Sequence, residues 1–394
     1  MSDKPELMDE KKPEAKDDSA WWKDKREKLL ELVEKSGYCY VYDAETLQEY
    51  GKMIQNLDAV DQALYAIKAN ANDDVLRTFK KLDFGFECVS IGEVEKILEL
   101  FPEIDCKKIL FTPNFAPRQE YEKALDLDIN LTLDNIYPLK KWSDIFKGRE
   151  LFLRIDPGHG QGHHEHVKTG GIHSKFGIPR FEIPEIVKIV DELNISVKGL
   201  HAHIGSGIKD SSSWKTTAAI LQEVAEELGG VEILDLGGGF GIRENETDAH
   251  LDLKQIDESL KEFKQAYPDY QLWVEPGRFL VAAAGVLLAR VTQLKGKGTV
   301  RYVGVETGMN SFIRPALYGA HHTIVNLSKI DQPATQTVNI VGPICESGDK
   351  LGINRLFPET EEGDVILIAN TGAYGQVMST YYNLRPPAKD IFLE

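Results

Sequence analysis

The sequence predicts an α/β protein, a TIM-type (β/α)8 barrel followed by a mainly β C-terminal domain. Three observations predict it. Eight short apolar stretches of strand character alternate with helical patterns between Ala44 and Leu280. After Leu280 the long helices stop while strand patterns continue. Several of the eight strands end in chemically capable side chains, and barrels gather their reacting groups at the C-terminal ends of strands. A doubly wound open sheet is the alternative, and the count of eight favours the barrel.

Residues 1–20 are mostly charge, Pro, Ser and Lys, a composition expected to stay disordered. Residues 21–43 are expected to associate with the β domain. Within them Trp21 to Ser36 has helical spacing stopped by Gly37, and Tyr38 to Tyr42 reads as a strand. Asp43 is placed to cap the next helix, Glu45 to Leu57.

Residues 44–280 form the predicted barrel. Its strands are expected at Leu64–Ala69, Phe86–Ser90, Lys108–Pro113, Asn130–Leu133, Leu151–Asp156, Val197–Ile204, Ile233–Gly237 and Gln271–Glu275. The helices between them are expected at Asp74–Leu82, Ile91–Leu100, Arg118–Leu127, Ile136–Ile145, Ile183–Leu193, Ser212–Leu228 and Ile256–Tyr267. Residues 281–394 form the predicted β domain, with strands at Val281–Thr292, Tyr302–Glu306, Thr335–Val341 and Asp364–Ala369.

The chain has 394 residues, 42% hydrophobic and 28% charged, as expected of a globular protein with one or two cores. Its formal net charge of -17 argues against a nucleic-acid or anionic-membrane binder. No apolar run is long enough to span a bilayer, and Met1 opens a polar stretch unlike a signal peptide. The four cysteines, Cys39, Cys88, Cys106 and Cys345, lack paired spacing, which suits a reducing cytoplasm.

The chemistry starts from LWVEPGRFL, Leu272 to Leu280. A strand that ends in Glu275, a Pro-Gly turn and Arg278 puts charge where it needs a partner, and Gly277 permits close approach to the backbone. Lys68 follows Tyr65, Ala66 and Ile67, so its stem leaves an apolar wall. A partly desolvated lysine loses its proton more easily and can form a Schiff base. Gly237, Gly238 and Gly239 of LGGGFG offer backbone N–H groups for a phosphate nest, to which Ser206 and Gly277 add donors. Glu275 is suited to hold a proton on a pyridine nitrogen. Singly, each residue has an ordinary explanation: a solvated rim lysine, a turn of glycines, a rim ion pair. Together they meet the demands of pyridoxal 5'-phosphate.

Three further stretches contribute. GPICESGD sets Cys345 and Glu346 in a polar loop, where a thiol is better placed for proton transfer than in a core. NTGAYG sets Tyr374 between glycines. FIRPALYG puts Arg314 and Tyr318 on one face if helical, and an Arg there suits a carboxylate.

The series YAIKAN, SKFGI, HAHIGSG, DLGGGFG, EPGR, MNSFIRPALYG, CESGD and GAYG, in that order from about Tyr38 onward, resembles the fold-type III pyridoxal-phosphate decarboxylases. Their fold is alanine-racemase-like. Within them the chain looks like the branch that converts meso-2,6-diaminopimelate to L-lysine and CO2, the last step of lysine biosynthesis. The resemblance implies Lys68 as Schiff-base lysine and His203 stacked on the pyridine face. It implies Ser206, Gly239, Gly277 and Arg278 around the phosphate, and Glu275 on the ring nitrogen. Arg278, Arg314 and Tyr318 would grip the distal end of the substrate, Cys345 would donate the proton, and Glu346 would meet the distal amine. Tyr374 would contact cofactor and substrate. Because Cys345 and Glu346 reach a partner's site in that family, a homodimer with shared active sites is implied.

The motif VETGMNS has Glu306, Thr307 and Ser311 where many relatives read VDAGMND, which implies altered supporting hydrogen bonds and the same reaction. This variant motif and the tail resemble decarboxylase domains fused behind an aspartate kinase. The rival readings are a relative acting on ornithine, arginine or carboxynorspermidine, and a non-catalytic regulatory relative, which should lack Lys68 or Cys345. A metal-dependent barrel hydrolase would use His201 and His203, two apart on a strand, with Glu275. It leaves Lys68 and LGGGFG unused, so no metal site is assigned. The histidines of 158–173 (His159, His163, His164, His166, His173) are expected in a mobile or solvated loop.

Overall fold

The structure, a computed structural model, describes residues 20–158, 161–162, 171, 173–244 and 248–394. Most of the expected charged tail and His159, His163, His164 and His166 lie outside the described residues.

The chain opens with α1 (Trp21–Asp24) and α2 (Arg26–Ser36), which the sequence read as one helix; Gly37, at φ 71°, ends the second. Strand β1 (Cys39–Asp43) follows, and the Asp43 carboxylate accepts the Thr46 N–H to cap α3 (Ala44–Gln55), the predicted cap. Then come β2 (Gln62–Ala66), α4 (Asp73–Lys81), β3 (Gly85–Cys88), α5 (Ile91–Leu100), β4 (Ile109–Phe111), α6 (Arg118–Asp126) and β5 (Asn130–Leu133). The predicted helix Ile136–Ile145 is two short ones, α7 (Tyr137–Lys141) and α8 (Ser143–Phe146). They lead to β6 (Glu150–Arg154), β7 (Gln161–Gly162), α9 (Ile183–Leu193), β8 (Ser196–His201), β9 (Gly205–Ser206), α10 (Ser213–Leu228), β10 (Ile233–Asp235), α11 (Leu253–Ala266) and β11 (Gln271–Val274).

Strands β2, β3, β4, β5, β6, β8, β10 and β11 close into a parallel barrel, with β11 pairing back onto β2. Closure excludes the open-sheet alternative. The barrel interior is built by strand alternation. Leu64, Leu110, Phe152, Ile233 and Trp273 form a buried apolar cluster of their own. Gly199 belongs with them, because a Cβ there would lie 2.2 Å from the Phe152 ring; one at Gly85 would lie 2.4 Å from Leu64. Two residues further along these strands stand Ala66, Thr112, Arg154, Asp235, Glu275, His201 and Glu87. The interior therefore changes from hydrocarbon to ionisable groups within one pleat.

After β11 the predicted strand Val281–Thr292 begins late: Arg278–Val281 is a helical turn, α12, and β12 runs Gly285–Lys297. It continues with β13 (Val300–Val305), α13 (Arg314–Tyr318), β14 (Ile324–Asn326), β15 (Gln336–Val341), β16 (Lys350–Phe357), β17 (Val365–Ile368) and β18 (Lys389–Leu393). These form an eight-stranded sheet, in which β1 pairs with β12 and β18. The short β14, and β16 and β18, were not legible in the sequence. β16 alternates apolar residues with Asn354 and Arg355, and β18 is half exposed. Among the described residues no helix is long and apolar enough to cross a membrane.

Candidate active site

A cavity of about 390 Å³ opens where the barrel strands end, lined by Lys68, Glu87, Thr112, Arg154, His201, His203 and Glu275 among others. Lys68 sits in a helical turn (Ile67–Ala69) just past β2, and its Nζ donates to Glu87 Oε2 at 2.6 Å. Glu87 is buried and also accepts from the Thr112 hydroxyl. The sequence argument expected Lys68 to lose its proton easily through burial. The structure corrects that. Burial does lower its pKa, but Glu87 and then Glu275 outweigh it and leave the ammonium more stable than usual.

Glu275 is buried just beyond β11, and its Oε2 lies 3.2 Å from His201 Nε2. Its Oε1 is buried with no partner among the described residues. Burial alone would raise this carboxyl's pKa, but His201 and then Lys68 hold it ionised. His203 is kept neutral, its pKa brought down to about 3 by burial and then by Arg154 and Lys68. Its Nδ1 accepts the Gly238 N–H, so Nε2 carries the proton of the neutral ring.

LGGGFG only partly supplies the predicted nest. The Gly237 N–H donates to Asp235 Oδ1 and the Gly238 N–H to His203. Two of the three expected phosphate donors are thus spent inside the protein. The glycines are demanded by packing: a Cβ at Gly238 would stand 2.3 Å from the Glu275 carbonyl oxygen, and one at Gly237 2.5 Å from that of Ala202. Gly277 abuts β2, where a Cβ would lie 3.1 Å from that of Ala66. Arg278 donates from Nε to Ser206 Oγ at 3.2 Å, and its guanidinium lies 4.9 Å from the Tyr374 ring centre. Tyr374 has a left-handed backbone, φ 55°, and donates its N–H to Ala69 next to Lys68.

Arg314 and Tyr318 do share a face of α13, with the guanidinium 5.7 Å from the ring centre. Arg314 is buried, its Nε has no partner among the described residues, and its pKa falls to about 10 through burial and then the nearness of Arg278. Two neighbouring buried guanidiniums are suited to an anion. Cys345 and Glu346 are exposed, and neither lines the Lys68 cavity. Glu346 lines a separate cavity of about 590 Å³ with Lys295 and Lys350.

The sequence reading missed Glu87, Thr112, Arg154 and Asp235. The signal was available: each stands two residues past an interior Gly or apolar residue on a barrel strand. The metal reading does find His201, Asp235 and Glu275 close together. However, His201 Nε2 and Glu275 Oε2 bond each other and do not both present lone pairs to an ion. Substituted Thr307 and Ser311 bond one another at 2.5 Å, and Ser311 Oγ accepts the Ala388 N–H. The altered motif thus bonds within itself and to Ala388 and Arg290 outside it.

The donor set fits pyridoxal phosphate: a lysine in the cavity, a buried carboxylate oxygen with no partner among the described residues, a neutral imidazole, and the Arg278–Ser206 pair. Residues 45–282 match the family model described as pyridoxal-dependent decarboxylase, pyridoxal binding domain. A diaminopimelate decarboxylase of Methanothermobacter thermautotrophicus is 36% identical, covering 84% of this chain and 80% of its own. That of Archaeoglobus fulgidus is 34% identical, covering 93% and 90%. The crystal structure of Helicobacter pylori diaminopimelate decarboxylase complexed with L-lysine matches with a TM-score of 0.82 at 30% identity, covering 93% of this chain and 94% of that one.

Proposed function

The chain belongs to the pyridoxal-dependent decarboxylases, and on that premise we propose that it converts meso-2,6-diaminopimelate to L-lysine and CO2. The observation that carries this is the joint presence, in one barrel-mouth cavity, of Lys68 and of buried Glu275, whose Oε1 has no partner among the described residues. Bound pyridoxal phosphate supplies an electron sink for the pair left behind when the carboxyl group departs.

The chain's own residues set up that chemistry. Lys68 would hold the cofactor's aldehyde carbon through Nζ, and its ammonium rests on Glu87. Glu275 would hold a proton at the ring nitrogen. His203 would offer the ring a neutral face, since a cation there would oppose a protonated pyridine. Ser206, Gly239, Gly277 and Arg278 would hold the phosphate. Arg314, with Arg278 and Tyr318, takes the distal carboxylate, which relieves the repulsion of the two guanidiniums. Tyr374 reaches both cofactor and substrate.

Cys345 and Glu346 do not line their own chain's cavity, which favours a homodimer. In it the partner subunit's Cys345 protonates the α-carbon after CO2 leaves, and the partner subunit's Glu346 meets the distal amine. Arg314 and Glu346 together favour a distal centre bearing both carboxylate and amine, against ornithine or arginine.

The test is CO2 and lysine release from meso-diaminopimelate, with and without added pyridoxal phosphate, run beside ornithine and arginine. Cofactor-dependent release from diaminopimelate alone is expected. Release from ornithine or arginine instead overturns the assignment of Arg314 and Glu346. Lys68→Ala should abolish turnover, and full activity in that variant would refute the mechanism.

A further inference from the structure

Behind Glu275 lies a buried array whose pieces the sequence scatters over three strands. On β8 and β10, His201 and Asp235 are direct register partners. Asp235 also pairs with Trp273 of β11, two residues before Glu275. The three side chains therefore meet inside the barrel, with one ligand-type atom from each lying within 4.8 Å of the others. They are 1%, 0% and 5% exposed.

Their hydrogen bonds are incomplete in an informative way. Glu275 Oε2 takes His201 Nε2, and Asp235 Oδ1 takes the Gly237 N–H. Glu275 Oε1, Asp235 Oδ2 and His201 Nδ1 have no partner among the described residues. The first is accounted for by the ring nitrogen of the cofactor. The second is not, and an ionised carboxylate buried bare against another is strongly disfavoured. The cavity lining offers three cations, Lys68, Arg154 and the exposed Lys175, beside the two carboxylates Glu87 and Glu275. The charges that weigh most on Asp235 are those of Glu275 and Glu87, both of its own sign.

Resting on the proposed cofactor chemistry, we propose that Asp235 is a positioning residue: as a neutral acid it donates from Oδ2 to the Glu275 carboxylate. With His201 on the other side, it fixes Glu275 so that Oε1 faces the ring nitrogen. Burial and then the charge of Glu275 push the Asp235 pKa well up, in keeping with this geometry. The device separates two carboxylates into unlike roles: Asp235 keeps its proton, so Glu275 can stay charged and stabilise the proton on the ring.

The test uses the holoenzyme loaded with pyridoxal phosphate labelled with ¹⁵N in the ring, and reads the ring-nitrogen shift together with kcat and KM. In Asp235→Asn the amide oxygen keeps the Gly237 bond and the NH2 group donates to Glu275. Its ring nitrogen should stay protonated and its kcat close to wild type. Asp235→Ala loses the donor. Its ring-nitrogen shift should move toward the unprotonated value, with kcat falling roughly ten- to hundredfold, the worth of one charge-assisted hydrogen bond, and KM little changed.

Asp235→Asn as damaged as Asp235→Ala would mean an ionised Asp235 and overturns the proposal. An unchanged ¹⁵N shift and kcat per bound cofactor in Asp235→Ala would show a purely structural residue and overturns it equally. Failure of the wild-type protein to bind the cofactor would instead refute the underlying reading. Should the alanine variant not fold, the ¹⁵N shift of Asp235→Asn decides alone.

Discussion

Replacing Glu87 by Gln changes the charge beside Lys68 while keeping an oxygen and a nitrogen in place. In the protein, Lys68 Nζ sits 2.6 Å from an oxygen of a carboxylate that is 1% exposed. A hydrogen bond to a charged group contributes about 1.5–3 kcal/mol. The Lys68 side chain is 37% exposed to the cavity, so solvent screening argues for the lower end, about 1.4 kcal/mol or one pKa unit. Only the neutral amine attacks a carbonyl carbon. Below the lysine pKa, Glu87→Gln should therefore capture pyridoxal phosphate roughly tenfold faster at a given pH, the rate profile moving by about one unit. Stopped-flow absorbance of the cofactor-free protein mixed with pyridoxal phosphate across a pH series measures this. Superimposable profiles for wild type and variant would refute the claim that Glu87 holds the Lys68 proton.

Three other outcomes follow from the same geometry. His322 is buried, donates from Nδ1 to the Ala369 carbonyl, and has its pKa brought down to about 3 by burial and then Arg314. Its folded pKa lies below its unfolded one, so its contribution is present above about pH 6.5 and is lost as pH falls toward 3. His322→Gln should thus weaken the acid dependence of stability by about 1.4 kcal/mol per pH unit in that window, measured by denaturant unfolding at pH 7, 6 and 5. Gly238→Ala puts a Cβ 2.3 Å from a backbone oxygen that cannot swing aside, and should cost about 1–3 kcal/mol in thermal unfolding of the cofactor-free protein. Ser311→Ala strands the buried Ala388 N–H and leaves the Thr307 hydroxyl only its longer bond to Asn310, and should destabilise by about 1–3 kcal/mol. Thr307→Ala with Ser311→Asp, the pattern of VDAGMND, should recover most of that loss; a double variant no better than Ser311→Ala would refute the pairing.

The barrel was legible because its strands are short apolar runs between amphipathic helices, a periodicity visible without tertiary information. The later strands were harder. β16 and β18 are partly exposed, and an edge strand's pattern resembles that of a loop until its neighbour is known. At the site, Lys68, Glu275 and Arg278 stood out because charge at the end of an apolar strand has no local reason to be there. Glu87, Arg154 and Asp235 did not, since each lies inside or at the very end of its strand and reads as an ordinary alternating polar residue.

The sequence by itself determined the order of elements, the residue types suited to a phosphate, an aldehyde and a carboxylate, and the cap at Asp43, because these depend on neighbours a few positions away. Only the tertiary structure decided which charges oppose one another. The Lys68–Glu87 contact, the Arg278–Arg314 repulsion and the His201–Asp235–Glu275 array each join separate elements. The protonation of a buried group depends on what lies within a few ångströms of it. For Lys68 that reversed the expectation drawn from burial alone, and for LGGGFG it turned two expected ligand donors into internal hydrogen bonds.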